Sequence, residues 1–274
     1  MELIDFDGLF DERLAQYIEN NKEKYTEKQW EDIIPKLYKK FGDTQIKKLG
    51  CSPKGYYAKM TEVELVETLY AHLTKDVPVP EFLCAEIENR DTVPALLGLL
   101  EKEEECVANY VVNLIGADRR AKNAYFSILT NEKFDEELRS DVTDLLRSYA
   151  DEIKAETLAY YREGKACTYM LEILSRVKER EEEIFETLLN AFLSEEENLR
   201  LNAGYLASYG DERALPYLLN KIEDRSLGFV EFQELKYAIE ALGGSYDEPR
   251  DFSADKDYIA VEASGVRSAN ELKN

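Results

Sequence analysis

Apolar residues recur along this chain at the three-and-four spacing of amphipathic helices almost from end to end. Leu9, Phe10, Leu14, Tyr17 and Ile18 form one stripe and predict a helix over residues 9–20. A second helix opens at a Thr26-x-x-Gln29 capping box and carries Trp30, Ile33, Ile34, Leu37 and Phe41 on one face until Gly42. Pro35 inside it predicts a kink or break, because proline removes one backbone donor and crowds the preceding turn. Residues 43–59, with Gly50, Pro53 and Gly55, read as irregular. Thr61-x-x-Glu64 is another capping box, opening a helix on Val63, Val66, Leu69, Tyr70 and Leu73 that ends near Lys75.

Val77-Pro78-Val79-Pro80 interrupts this pattern, since residues before proline avoid the helical region. It divides an N-terminal helical region, 1–76, from a longer run of short stripes over 77–244. Helices are predicted at 81–89, from Pro94 to about residue 100, and at 106–115, 121–129, 136–149, 152–161, 166–177 and 182–193. Ser194-x-x-Glu197 is expected to cap a further helix closing at Gly210. The next starts near Leu215, and the last closes at Gly243-Gly244. The turns at Asp91, Asp118, Asp151, Lys178, Asp211 and Gly243 recur about every 27 to 34 residues, the range of stacked supersecondary units. Each aspartate is expected to cap the helix after it. Such short helices cannot bury their stripes alone, so neighbours must stack. Beyond Gly244, Phe252, Tyr258, Ile259 and Val261 are the only bulky apolar residues the pattern finds. Residues 245–274 therefore read as a mostly extended polar tail, either covering the last helix pair or mobile.

Composition narrows the function classes. There are 57 acidic against 35 basic residues, a formal net charge of -22. The averaged field repels phosphate backbones and anionic membranes and attracts basic partners. The lysines at 36, 39, 40, 47, 48 and 54 form the one basic cluster the pattern suggests, read as the solvated side of helices. Cys51, Cys84, Cys106 and Cys167 are widely spaced with no CxxC pair, which predicts buried free thiols and a reducing compartment. The acidic N-terminal stretch does not read as a secretory signal, and the most apolar segment, 93–100, is far too short to span a membrane. The expected location is cytoplasmic.

The stretch Gly210-Asp211-Glu212-Arg213-Ala214-Leu215-Pro216-Tyr217-Leu218-Leu219, followed by Ala238-Ile239-Glu240-Ala241-Leu242-Gly243, resembles HEAT-like repeats of the armadillo-type superfamily. In its turn pattern it is similar to the repeats of phycobilisome lyases. The likeness covers one unit in detail and others from Asp91 onward by period and turn type; Lys178 to Arg180 depart from it. It implies an all-α fold, a right-handed α-α superhelix of about five helix pairs over 77–244. It implies a mode of binding rather than a reaction.

No catalytic set is expected. His72 is the sole histidine, on a predicted helix with no serine or cysteine at contact spacing. The acidic runs 101–105 and 179–183 lack a calcium-loop pattern, and Gly50 to Gly55 lacks the lysine-serine ending of a phosphate loop. No metal and no cofactor is predicted. In a superhelix of this kind the second helix of each pair lines the concave surface. Asn109, Asn113, Arg147, Arg176, Asn202, Tyr205, Tyr209, Gln233 and Tyr237 are therefore the candidate partner-binding residues. They also have a plain structural role: tyrosines at the core edge, asparagines bonding neighbouring turns, and Gln233, Lys236, Tyr237 and Glu240 as the polar face of a capping repeat. The expected function is a non-enzymatic module holding a basic protein or peptide, of which an inhibitor or immunity-type protein is one form. The alternatives are a lyase-like enzyme or cofactor handler, and a HEAT-like nucleic-acid-binding protein.

Overall fold

The computed structural model describes residues 3–75, 77–194 and 196–271, and among them it is all-helical, with no strand. The chain divides into two compact units, one ending at Leu138 and one beginning at Arg139.

The first unit holds α1 (Phe6–Asn21), α2 (Glu27–Gly42), α3 (Pro53–Tyr57), α4 (Glu62–Thr74), α5 (Glu81–Glu88), α6 (Val93–Leu100), α7 (Glu105–Ile115), a 3-10 turn at Arg119–Ala121, α8 (Lys122–Thr130) and the first residues of α9 (Glu136–Arg147). Both expected capping boxes form. The backbone N–H of Thr26 donates to Gln29 Oε1 at 2.9 Å, and that of Thr61 to Glu64 Oε2 at 2.8 Å. Pro35, expected to kink or break α2, does not interrupt it: the helix runs through it. Pro35 and Glu31, whose carbonyl loses its donor, are both exposed, so water can serve that carbonyl. Within 43–59, expected to be irregular, Ser52 caps the short α3 by accepting from the Gly55 N–H at 3.1 Å. Aromatic rings tie the first helices together: Tyr38 stacks on Phe82 with centroids 4.6 Å apart, and Phe10 meets Tyr38 edge-on at 4.9 Å.

The second unit holds the rest of α9, then α10 (Ala150–Arg162), α11 (Cys167–Leu174), α12 (Glu182–Ser194), a 3-10 turn at Glu196–Asn198, α13 (Leu199–Tyr209), a 3-10 turn at Glu212–Ala214, α14 (Leu215–Ile222), α15 (Phe229–Ala241) and α16 (Lys256–Glu271). Helix α10 packs on α11, α11 on α12, α12 on α13 and α14 on α15, and α13 lies against both α11 and α15. Helices α12 and α15 each bury one apolar stripe: Ile184, Leu188 and Phe192 on α12, and Phe232, Leu235 and Ile239 on α15. The proposed cap at Ser194 is different in the structure. Ser194 ends α12, its hydroxyl donating to the Asn190 carbonyl at 2.6 Å.

The extended tail is also corrected. Residues 256–271 form α16. Asp255 starts it by accepting from the N–H groups of Asp257 and Tyr258, while its other oxygen accepts from the Phe229 N–H at 3.1 Å. The segment before it covers the last helix pair: Arg250 donates to the carbonyls of Asp224 and Ile222 and lies 4.8 Å over the Phe232 ring. The helix was hidden because its described apolar residues, Tyr258, Ile259 and Val261, make too short a stripe. Its start depends on a carboxylate shared with α15.

Contacts between residues about 30 positions apart recur in each unit. In the first, Lys133 pairs with Glu103 at 2.5 Å and the Asp135 N–H reaches Glu105, both across 30 residues. In the second, the Lys178 N–H donates to Asp151 across 27 residues, and the Glu181 N–H donates to the Tyr209 hydroxyl across 28. Two of the four expected aspartate caps form, at Asp118 and Asp211, each accepting from the N–H two residues on. Asp91 and Asp151 do otherwise, accepting from Arg120 and from the Lys178 N–H.

Candidate interaction face

On α9 the residues Arg139, Thr143 and Arg147 fall at steps of four, which places them on one side of the helix. Arg147 Nη1 donates to Glu172 Oε1 on α11 at 2.6 Å and to Asp144 on its own helix at 2.5 Å. Arg139 lies 5.4 Å over the ring of Tyr169, three residues before Glu172 on α11. Tyr205 of α13 joins this cluster. Its phenol is pushed up to about 12, first by burial and then by the nearby negative charge of Glu172, with Arg147 opposing and Tyr169 adding a little. Three consecutive odd-numbered helices thus supply one fixed polar and aromatic cluster.

Of the nine residues chosen from sequence, Arg147 and Tyr205 come together here. Arg176 is exposed just past the end of α11, Gln233 is half-buried on α15, and Tyr237, 60% exposed, stands into solvent. Tyr205 is itself buried, and two others face inward as well. Asn202 is buried, and its Nδ2 donates to the Ala191 carbonyl at 3.1 Å, fastening α13 to α12. Tyr209 is fully buried, and its hydroxyl accepts from the Glu181 N–H at 2.7 Å, holding the 178–181 turn. Arg180 covers its ring at 4.8 Å, and Gly210 is left-handed where an added Cβ would sit 3.0 Å from that guanidinium. Asn109 and Asn113 lie on α7 of the first unit, where Asn113 Nδ2 donates to the Asn109 carbonyl at 3.0 Å. These inward or self-bonded partners match the plain structural role given to asparagine and tyrosine.

The choice from sequence missed Glu172, Tyr169 and Arg139. Stepping back from Arg176 by four and then three residues reaches Glu172 and Tyr169, so the helical spacing already carried the signal.

The first unit carries an open groove of about 710 Å³ between α6 and α8. Its lining is apolar at Leu97, Leu100, Ile128 and Phe134 and polar at Asn123 and Ser127. At one end Arg120 is engaged by Asp91 and Asp118, and at the other Glu103 is engaged by Lys133. Glu103 adopts a left-handed backbone, with φ of 53°. Among the described residues no group of three or more His, Cys, Asp and Glu side chains is placed to hold a metal ion. His72 is fully buried in α4. None of the four cysteines is in a disulfide, and, against expectation, none is fully buried: Cys51, Cys84 and Cys167 are half-buried and Cys106 is exposed. Cys84 Sγ lies 3.1 Å from the Tyr110 hydroxyl, and burial raises its thiol, which makes it a poor nucleophile. No described helix is long and apolar enough to cross a membrane.

Protein-family models, curated proteins and solved structures were each compared with the chain, and none gave a match.

Proposed function

We propose that the chain is a non-enzymatic interaction module. In this reading its helix pairs are HEAT-like repeats stacked in a right-handed superhelix, and the odd-numbered helices α9 to α15 present its binding surface to a basic protein or peptide in the cytoplasm. The observation that carries the reading is the charged hydrogen bond between Arg147 of α9 and Glu172 of α11, beside Tyr205 of α13, whose phenol feels both charges. Contacts across about 27 to 30 residues support the repeat itself. Exposed Tyr237 adds an aromatic anchor with a polar tip, the residue type that dominates interface energetics. The net charge of -22 and the exposed Asp144 and Glu240 favour a basic partner and make association sensitive to salt.

The test is affinity capture at low and moderate salt, repeated with Tyr237→Ala and Glu240→Lys, both at exposed positions. The reading expects a basic partner lost as salt rises, with affinity about tenfold weaker for either variant. A partner indifferent to both variants, or turnover of a small substrate without one, would overturn it. A second reading, handling of a small ligand, is favoured by one observation: the α6 and α8 groove falls within the ordinary size of small-molecule sites. Ligand-induced protection of Asn123 and Ser127 amides against hydrogen exchange would support that reading instead.

A further inference from the structure

Between α1 and α2 lies an open slot of about 170 Å³ whose walls are Phe10, Leu14, Leu37 and Phe41 and whose lining also includes Arg13 and Lys40. Both phenylalanines are buried, and both leucines are half-buried. An apolar space of about this size suits one aromatic ring or a short alkyl chain. The charge at the slot runs against the rest of the molecule. In a chain with 57 acidic residues, neither Arg13 nor Lys40 has a carboxylate partner among the described residues. The acids nearest Arg13 in sequence, Asp11 and Glu12, do not line the slot. Arg13 is nevertheless held in place, its guanidinium 5.0 Å over the Phe41 ring. Lys36 and Lys39 add positive charge along α2.

A cation that finds no internal acid, fixed beside an apolar slot with a second cation on the facing helix, has the form of a head-group site. We propose that this slot binds a small monocarboxylate carrying one aryl ring or a short alkyl chain. The tail fills the space among Phe10, Leu14, Leu37 and Phe41, and the carboxylate accepts hydrogen bonds from Arg13 and Lys40. Guanidinium and ammonium donors to a carboxylate are stronger than neutral ones, so the selection is for negative charge as well as for shape. This site is separate from the face proposed for a protein partner.

The probes share a body and differ in charge: phenylacetate, benzyl alcohol and phenethylamine, titrated into the full chain and followed by amide chemical shifts. The proposal expects phenylacetate to move amides around residues 10–17 and 37–44 and to bind roughly tenfold tighter than benzyl alcohol, with phenethylamine weakest. The Arg13→Gln, Lys40→Gln double variant should bring phenylacetate down to the alcohol's affinity. Both side chains are exposed, so the fold is retained. Leu14→Trp, with its helicity checked, should abolish binding of all three by filling the slot. Equal affinity for alcohol and carboxylate, shifts confined elsewhere, or no shifts at millimolar phenylacetate would each overturn the proposal.

Discussion

Arg213 donates from Nη1 to Glu182 Oε2 at 2.7 Å across 31 residues, and Arg120 makes the same reach to Asp91 at 2.6 Å across 29. Each guanidinium is also clamped by the aspartate two residues before it, Asp211 or Asp118. Each clamp opens a 3-10 turn, at 212–214 and at 119–121, leading into the next helix. One device therefore occurs in both compact units, tying each turn to an acid about 30 residues before it within the same unit.

The clamps predict an acid limb. Hydrogen bonds from Arg120 and Arg213 hold the Asp118 and Asp211 carboxyls below the ordinary value of 3.8. A depressed folded pKa contributes stability that is present above that ordinary value and lost as pH falls through the lower one. Helicity should therefore drop as pH passes below about 4. Asp118→Asn and Asp211→Asn should be less stable than wild type at neutral pH and lose less below it. Acid titration by circular dichroism measures this, and wild-type profiles in both variants would contradict it.

Tyr209→Phe keeps the ring under Arg180 and removes only the hydroxyl. The Glu181 N–H, donating to it at 2.7 Å, then loses its partner in a half-buried turn. The expected cost is about 1 to 2 kcal/mol. Urea unfolding checks the magnitude, and faster hydrogen exchange at the Glu181 amide checks the place. An unchanged exchange rate there would rule out the assigned role.

His72 is fully buried, and neither ring nitrogen has a hydrogen-bond partner among the described residues. Such a group carries the desolvation cost without compensation. His72→Leu should therefore leave the melting temperature unchanged or raise it by a few degrees, corresponding to about 1 kcal/mol. A fall of several degrees would mean that the ring does bond something that leucine cannot replace.

Tyr205 sets an alkaline limb in the second unit. Burial and Glu172 push its phenol up to about 12, so the folded form resists ionisation that the unfolded chain undergoes near 10. Stability linked to it is complete below pH 10 and is lost as pH rises from there to about 12. Tyr205→Phe should move the midpoint of alkaline unfolding upward. An unmoved midpoint would show that other phenols govern that limb.

Much of the helical plan was legible in the pattern. Apolar residues at three-and-four spacing marked helices such as α2 and α4, and the Thr26 and Thr61 boxes marked the starts of these two, because these signals lie within a few residues of one another. The turn chemistry at Asp118 and Asp211 was legible for the same reason. Charge, cysteine spacing and the lack of a long apolar span also follow from the chain alone.

What only the tertiary structure decided depends on residues that lie 11 or more positions apart and on different elements. Helix α16 is started by a carboxylate shared with α15. Asn202 and Tyr209 looked like members of an outward stripe, yet each spends its polar atoms on backbone groups of a neighbouring element, since a buried amide or phenol must find a partner. Arg147 gained its meaning from Glu172, 25 residues away, and Tyr205 from both. Helical spacing tells which side a residue takes on its own helix; which side faces solvent, and what it meets there, is set by the helices packed around it.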